Sequence, residues 1–464
     1  MPPRALKFRD VVLYTLAMML SVRWPAATAA VGPVAPLMWL AAMLVFLVPV
    51  VLVTAELVSR FPGSGGIYDW TREAFGPFWG FQCGWLYWAG ALPYFSGVLV
   101  YAIATAGSAV GGPAQAFLAT TSGYLVASLL IAVAVAALHM RGFGVGKWVS
   151  NLGAIGACGL VLFMIMGGLA VVLTHGSATD FAHADYHPPL NAQGAVLWSV
   201  MTLAFVGPEA AAFLKDDVEG GVKTILKALA VVGVLAMLAY GLATMGILAM
   251  LPAAKLSQLG GLPDALRACL QTLGAPGLAP LLIAIVPLTM LGGYAAWFGV
   301  LARLPVTAGV DNAMPKALAK LDPRTGAPVN ALLAQTVVVL ALIVFSAFGA
   351  SVKAAYDFLI AMTVISSVLP FLFMFAAQLA LGDPPAGIAW RIPGGPWARR
   401  GLAAVGLVAT LSAIVCSAAP GPDVADKFGA VMKIVAATAV LVLGGAAAYF
   451  AGHRAAGAVA APAE

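Results

Sequence analysis

Charge is what this chain has least of. Only 9% of its 464 residues are Asp, Glu, Lys or Arg, against about 25% in soluble domains. That is too few to cover a water-facing surface, so an ordinary soluble enzyme or binding domain is excluded. Cysteine is scarce too: Cys83, Cys158, Cys269 and Cys416 stand singly, which leaves no disulfide framework and no zinc spacing. Histidine adds no metal set. "HADYHPP" places His183 and His187 near Asp180 and Asp185, but in a loop ended by Pro-Pro, and neither metal nor cofactor is expected. Long polar connections are missing as well. The longest, about 303–329, is under thirty residues, so no soluble domain fits. "PGSGGIYDW" (62–70) is glycine-rich, yet no strand precedes it, and it reads as a turn and not as a phosphate cradle.

What remains is apolar. Hydrophobic residues make up 62% of the chain and the mean hydropathy is +0.99. Runs of about 20 apolar residues recur, each long enough to cross ~30 Å of hydrocarbon as a helix. Twelve spans are expected, near 11–36, 37–59, 78–107, 121–138, 148–174, 193–214, 226–251, 276–302, 330–349, 354–381, 401–419 and 428–451. The class is an all-α polytopic membrane protein. The N-terminus does not read as a cleavable signal, because its apolar stretch is too long and "RWP" interrupts it.

The net charge of +6 is a topology signal, not a nucleic-acid footprint. Of the 24 Lys and Arg, eighteen fall on the side of the two termini and five on the other, with Arg23 left over. By the positive-inside rule both termini are expected in the cytoplasm, with the protein in the plasma (cell inner) membrane.

Two spans contain what hydrocarbon tolerates poorly. In "SVRWPAATAA", Pro25 lacks an N–H and clashes with the carbonyl of Ser21; in "TLAFVGPEAAAF", Pro208 does the same to Ala204. Both breaks fall ~15 Å into their spans, near the bilayer midplane. Gly207 weakens the second further. Pro49, Pro93, Pro287 and Pro370 read as ordinary kinks, which membrane helices accept. Spans one and six differ because each break carries an ionisable residue, Arg23 or Glu209, and they open two successive five-helix groups. Matched broken helices in two halves point to a transport site at the centre of an inverted repeat.

Three longer stretches carry a resemblance. "AELVSRFPGSGGIYDWTREAFGPFWGFQCGWLYW" (55–88), "FVGPEAAAFLKDDVEGGVKTI" (205–225) and "AAWFGVLARLPVTAGVDNAMPKALAKLDPRTGAPVNALL" (295–333) resemble, in order, motifs of the amino acid–polyamine–organocation superfamily. "WRIPGGP" (390–396) and the pattern of "VRWP" are most similar to its glutamate/GABA antiporter branch. The resemblance implies a LeuT-like fold of five plus five inverted helices with discontinuous helices 1 and 6. Its parts would be residues 1–174, residues 193–381, an outer pair at 401–451 and a short cytoplasmic tail at 452–464. It implies an amino acid, or a related amine or acid, bound between the two unwound segments, with Arg23, Trp24, Ala26, Ala27, Phe205, Gly207, Pro208, Glu209 and Trp297 around it. Glu209 matches the acid that relatives use for binding or proton coupling. Trp297 would stack over or gate the substrate, and Phe205 would be a second lid. This chain also departs from the pattern. Its first helix lacks the usual "GSG", Arg23 stands where the antiporter branch has an acid, and Gly156 stands where some proton-coupled relatives have lysine.

Arg23 has three readings. It snorkels to a surface, though fifteen ångströms exceeds its reach; it pairs structurally with Glu209; or it lines the aqueous path and binds an anionic substrate group. An arginine at a span centre costs roughly 2.5–3.5 kcal/mol on insertion scales, and its fork suits a carboxylate. Glu56, one turn before Arg60, reads as half of a surface ion pair. The expected function is secondary transport of a zwitterionic or acidic amino acid, or related carboxylate, by antiport or proton symport. A polyamine carrier is the alternative and a membrane-embedded enzyme the more distant one, since no nucleophile–base pair is found. The expected partners are the substrate, the bilayer and a coupling proton. Nucleic acid is not among them, and the oligomeric state is not readable.

Overall fold

The computed structural model describes residues 6–61, 63, 65–257, 259–305, 314–347, 352–419 and 427–460. Among these, twelve long helices follow one another: α1 Phe8–Val31, α2 Ala35–Arg60, α3 Pro77–Val110, α4 Thr121–Met140, α5 Phe143–His175, α6 Ala192–Lys215, α7 Val222–Met250, α8 Ala279–Leu301, α9 Val329–Ala347, α10 Val352–Ala380, α11 Gly395–Ser417 and α12 Lys427–Ala460. Eleven are long and apolar enough to cross a membrane, and α9 is apolar over Val329–Phe345. Arg4 and the side chains of Lys147, Lys353 and Arg454, four of the charges used for orientation, lie outside the described residues.

Burial sorts these helices. The most apolar windows of α1 and α6 are 83% and 89% buried inside the protein, against 33% for α11 and 11% for α12. The two helices with mid-span charges therefore sit at the centre, and the last two lie at the periphery with side chains such as Phe428, Val440 and Leu443 exposed. Lipid supplies no hydrophobic drive between helices, so close packing relies on small residues. A Cβ on Gly153 of α5 would lie 2.4 Å from the Gly292 Cα of α8, and one on Gly168 would lie 2.4 Å from the Gly246 Cα of α7. Gly156 is on the same contact: a Cβ there would meet Thr289 Cγ2 at 3.2 Å. Gly156 is thus a point of helix–helix closure.

Prolines behave in more than one way. Pro287 and Pro370 stand inside continuous helices. Pro49 follows a π-helical turn, Met43–Leu47, whose extra residue accommodates the ring. Pro93 marks more than a kink, because α3 is interrupted at Ala91 between Pro77–Gly90 and Leu92–Val110. Ile67–Phe75 forms a short helix that begins after Gly66 at φ 52 and ends before Gly76 at φ 90; Pro62 and Ser64, in the stretch expected to be a turn, are outside the described residues. Over the residues expected as the tail, α12 continues as helix through Ala460, consistent with its alanine-rich sequence; residues 461–464 lie outside the described part.

Glu56 corrects the surface reading. It is 1% exposed, accepts Gln378 Nε2 at 2.6 Å and Ile392 N at 2.8 Å, and lies 3.8 Å from Arg399. Arg60 turns away to the carbonyls of Leu381 and Gly382. Glu56 thereby joins α2 to α10 and to the "WRIPGGP" connection before α11. Removing one member of a buried charged set costs about 3–5 kcal/mol. Glu56→Ala should therefore lower the unfolding free energy by roughly that amount, read by denaturation in detergent. A change under ~0.5 kcal/mol would mean that the cluster does not hold these helices.

Candidate functional site

The first break lies just ahead of Pro25. Helix Phe8–Met19 ends at Leu20, which is extended, and helix Arg23–Thr28 begins three residues later. Pro25 occupies the first turn of this second half, where a missing N–H costs nothing. Continuing the helix backward would drive its ring into the Ser21 carbonyl, which instead accepts the Trp24 N–H at 3.2 Å. The second break has the same logic. Helix Ala192–Ala204 stops, Phe205–Gly207 unwinds with Gly207 at φ 138, and Pro208 opens a ten-residue 3-10 stretch to Asp217. So long a 3-10 run is uncommon and marks a segment under tension.

The two breaks touch and share a donor. A Cβ on Gly207 would lie 3.4 Å from Met19 Cβ. The Tyr240 hydroxyl of α7 faces the Met19 carbonyl and lies 3.3 Å from the Ala204 carbonyl, the group freed by Pro208, and it accepts Ser21 N at 3.2 Å. Trp297 Nε1 of α8 donates to the Met18 carbonyl at 2.7 Å. Carbonyls that helix geometry would leave bare in the membrane are thus tied by two aromatic side chains.

Between the breaks is a cavity of about 40 Å³. Met18, Ser21 and Trp24 of α1, Tyr87 and Tyr94 of α3, Val206 of α6 and Trp297 of α8 line it. That is well below the ~150 Å³ of a cavity that takes up one benzene, so an amino acid enters only if the walls move.

Seven of the nine sequence-selected residues separate into three groups. Trp24 and Trp297 line the cavity. Arg23 and Glu209 flank it from behind the wall. Phe205, Ala26 and Ala27 are buried elsewhere, and Phe205 packs edge-on against Trp39 (5.3 Å between centroids) and Tyr240 (5.5 Å). Within the unwound segment Val206 lines the cavity and Phe205 does not.

Glu209 is fully buried, with Oε1 accepting the Tyr87 hydroxyl at 2.7 Å and Oε2 the Gly207 N–H at 3.0 Å. Gly207 therefore helps to set the carboxylate's position, and Pro208 stands between the two at the start of the 3-10 stretch. Arg23 is 1% exposed, and none of its three guanidinium nitrogens has a hydrogen-bond partner among the described residues. Its charge lies 4.0 Å from the Trp24 ring, 5.5 Å from Tyr94 and 5.9 Å from Tyr101. The Tyr101 hydroxyl also has no partner there. An Arg23–Glu209 ion pair is not formed in this conformation.

Sequence reasoning missed Tyr87, Tyr94 and Tyr240. A signal existed for two of them, since Tyr87, Tyr94 and Tyr101 recur every seven residues and so share one face of α3. His183 pairs with Asp180 and His187 with Asp185 as two separate exposed contacts. Among the described residues no cluster of three or more His, Cys, Asp or Glu could hold a metal.

The profile of a family described as amino acid permease matches residues 6–444. An uncharacterized transporter of Legionella pneumophila is 26% identical over 393 residues, covering 83% of each chain. A probable agmatine/putrescine antiporter of Lactococcus lactis is 24% identical, covering 72% of this chain and 71% of its own. The solved structure of MhsT in complex with L-phenylalanine superposes with a TM-score of 0.62 at 12% identity, covering 90% of this chain and 99% of that one. This last likeness shows the fold, which is LeuT-like.

Proposed function

This chain belongs to the amino acid permease family, and from that premise we propose that it carries a zwitterionic or acidic amino acid, or a related carboxylate, across the plasma membrane. Transport runs by alternating access around the cavity between the two breaks, as antiport or proton symport, with residues 1–174 and 193–381 as the inverted halves and both termini cytoplasmic. The observation that carries this reading is Arg23. A fully buried guanidinium with three unpartnered nitrogens is stabilised only in part by its aromatic neighbours, at about 0.5–2 kcal/mol. A carboxylate fits its fork. When Trp24 and Tyr94 part, the substrate's carboxylate takes Arg23, while Glu209 and the freed carbonyls face its ammonium group or the coupling proton. Trp297 closes the opposite wall.

Amine or polyamine transport is the second reading. It is favoured by the buried carboxylate of Glu209, the aromatic walls and the likeness to the Lactococcus antiporter. A panel of unlabelled amino acids, diamines and dicarboxylates, scored by thermal stabilisation and by competition for liposome uptake at about pH 5 and 8, separates the two. Amino acids or carboxylates should stabilise the protein and compete for saturable uptake. Response to diamines alone overturns the carboxylate reading, and response to nothing in the panel overturns both.

A further inference from the structure

His139 is the last-turn histidine of α4, 5% exposed, and both of its ring nitrogens face carbonyls. Nδ1 lies 2.9 Å from the Val135 carbonyl of its own helix, and Nε2 lies 2.9 Å from the Ala295 carbonyl of α8. A neutral imidazole has one N–H. With either tautomer, the other nitrogen would press its lone pair against a carbonyl lone pair at hydrogen-bond distance. Only the doubly protonated ring donates at both ends. We propose that His139 is a proton-binding site whose imidazolium form ties α4 to α8 and holds the N-terminal end of the transporter closed.

The surroundings give the tie its reach. Ala295 stands two residues before Trp297, and the next carbonyl, Ala296, accepts the Tyr14 hydroxyl of α1 at 2.8 Å. A Cβ on Gly299 would lie 3.0 Å from the His139 ring and 3.2 Å from the Tyr14 hydroxyl. The ionisable groups around this point are Tyr14 from α1, the Arg303–Asp217 ion pair just beyond the ends of α8 and α6, and Arg141, the residue that follows α4. No described carboxylate is hydrogen-bonded to His139, so the proton is held by carbonyl dipoles. At the same end, Leu6 N donates to Asp217 O at 3.0 Å and Glu219 N to Leu6 O at 2.9 Å, which seals the N-terminal segment against α6.

The tie is present while the ring is protonated and is lost as pH rises through its titration, so opening at this end is slower in acid. With equal pH on both faces of the liposome, substrate exchange should be about tenfold slower at about pH 5.5 than at pH 8.5. In His139→Gln, whose amide still donates to Ala295, that ratio should fall to about one. The chain has five histidines, so replacing His175, His183, His187 and His453 leaves His139 alone for nitrogen-15 NMR. Two protonated-nitrogen shifts at about pH 5.5 support the assignment, and a neutral pair of unequal shifts at that pH overturns it whatever the protein carries. An unchanged exchange ratio in His139→Gln overturns the closing role. The spectroscopic arm needs no substrate, so its failure is distinguishable from failure of the transport reading.

Discussion

Replacing Arg23 with methionine should do two opposite things: weaken binding of the carboxylate substrate by 30-fold or more, and raise the stability of the protein in substrate-free buffer. The first follows from the geometry of recognition. Truncating one side of a buried, hydrogen-bonded charge pair costs about 2–5 kcal/mol, and each ~1.4 kcal/mol is tenfold in affinity. The second follows from the unpartnered guanidinium, 1% exposed among Trp24, Tyr94 and Tyr101. A buried charge without a hydrogen-bonding partner is a liability, and apolar replacement of such groups is neutral or stabilising by about 1–4 kcal/mol. A structural arginine would behave in the reverse way, losing stability and leaving affinity nearly intact. Titration calorimetry and thermal unfolding of the same two proteins read both quantities. Lower stability with unchanged affinity would remove Arg23 from the site.

The fold was legible in the sequence because lipid imposes a simple rule. Apolar length, the prolines and the two mid-span charges were enough to place twelve helices and both interruptions. Even the carbonyls of Ser21 and Ala204 could be named, since a proline's clash is always with the residue four before it. What satisfies those carbonyls was not legible. Tyr240 reaches the Ala204 carbonyl from α7, the Ser21 carbonyl is taken by the Trp24 N–H, and Trp297 reaches the neighbouring Met18 carbonyl from α8; an aromatic in a membrane helix reads the same whether it faces lipid, a neighbour or a cavity. Glu56 failed for a related reason. Arg60 was its visible neighbour, but its partners Gln378 and Ile392 lie more than 300 positions along the chain. Phe205 failed because helical spacing was assumed through a segment that is unwound.

Glu209→Gln separates transport from its energy source. Glu209 is hydrogen-bonded by Tyr87 at one oxygen and by the Gly207 N–H at the other. Glutamine keeps this geometry. Its carbonyl accepts the Gly207 N–H, and its amide donates to the Tyr87 hydroxyl, which can accept as readily as donate. The variant should therefore fold normally, still bind the carboxylate at Arg23, and still exchange substrate across the membrane. It should lose the response to a pH gradient, because glutamine cannot take up or release a proton. One coupled proton at a gradient of about one pH unit contributes ~1.4 kcal/mol, enough for tenfold accumulation, so the accumulation ratio should fall from about ten to about one. His139 does not confuse this readout, since it affects the rate of exchange at equal pH and not the ratio reached under a gradient. The amine reading makes a different forecast: a diamine relies on the Glu209 charge, and the glutamine variant would then fail to bind. Accumulation that survives in Glu209→Gln would place the coupling proton elsewhere, while loss of binding together with exchange would make Glu209 a substrate ligand first.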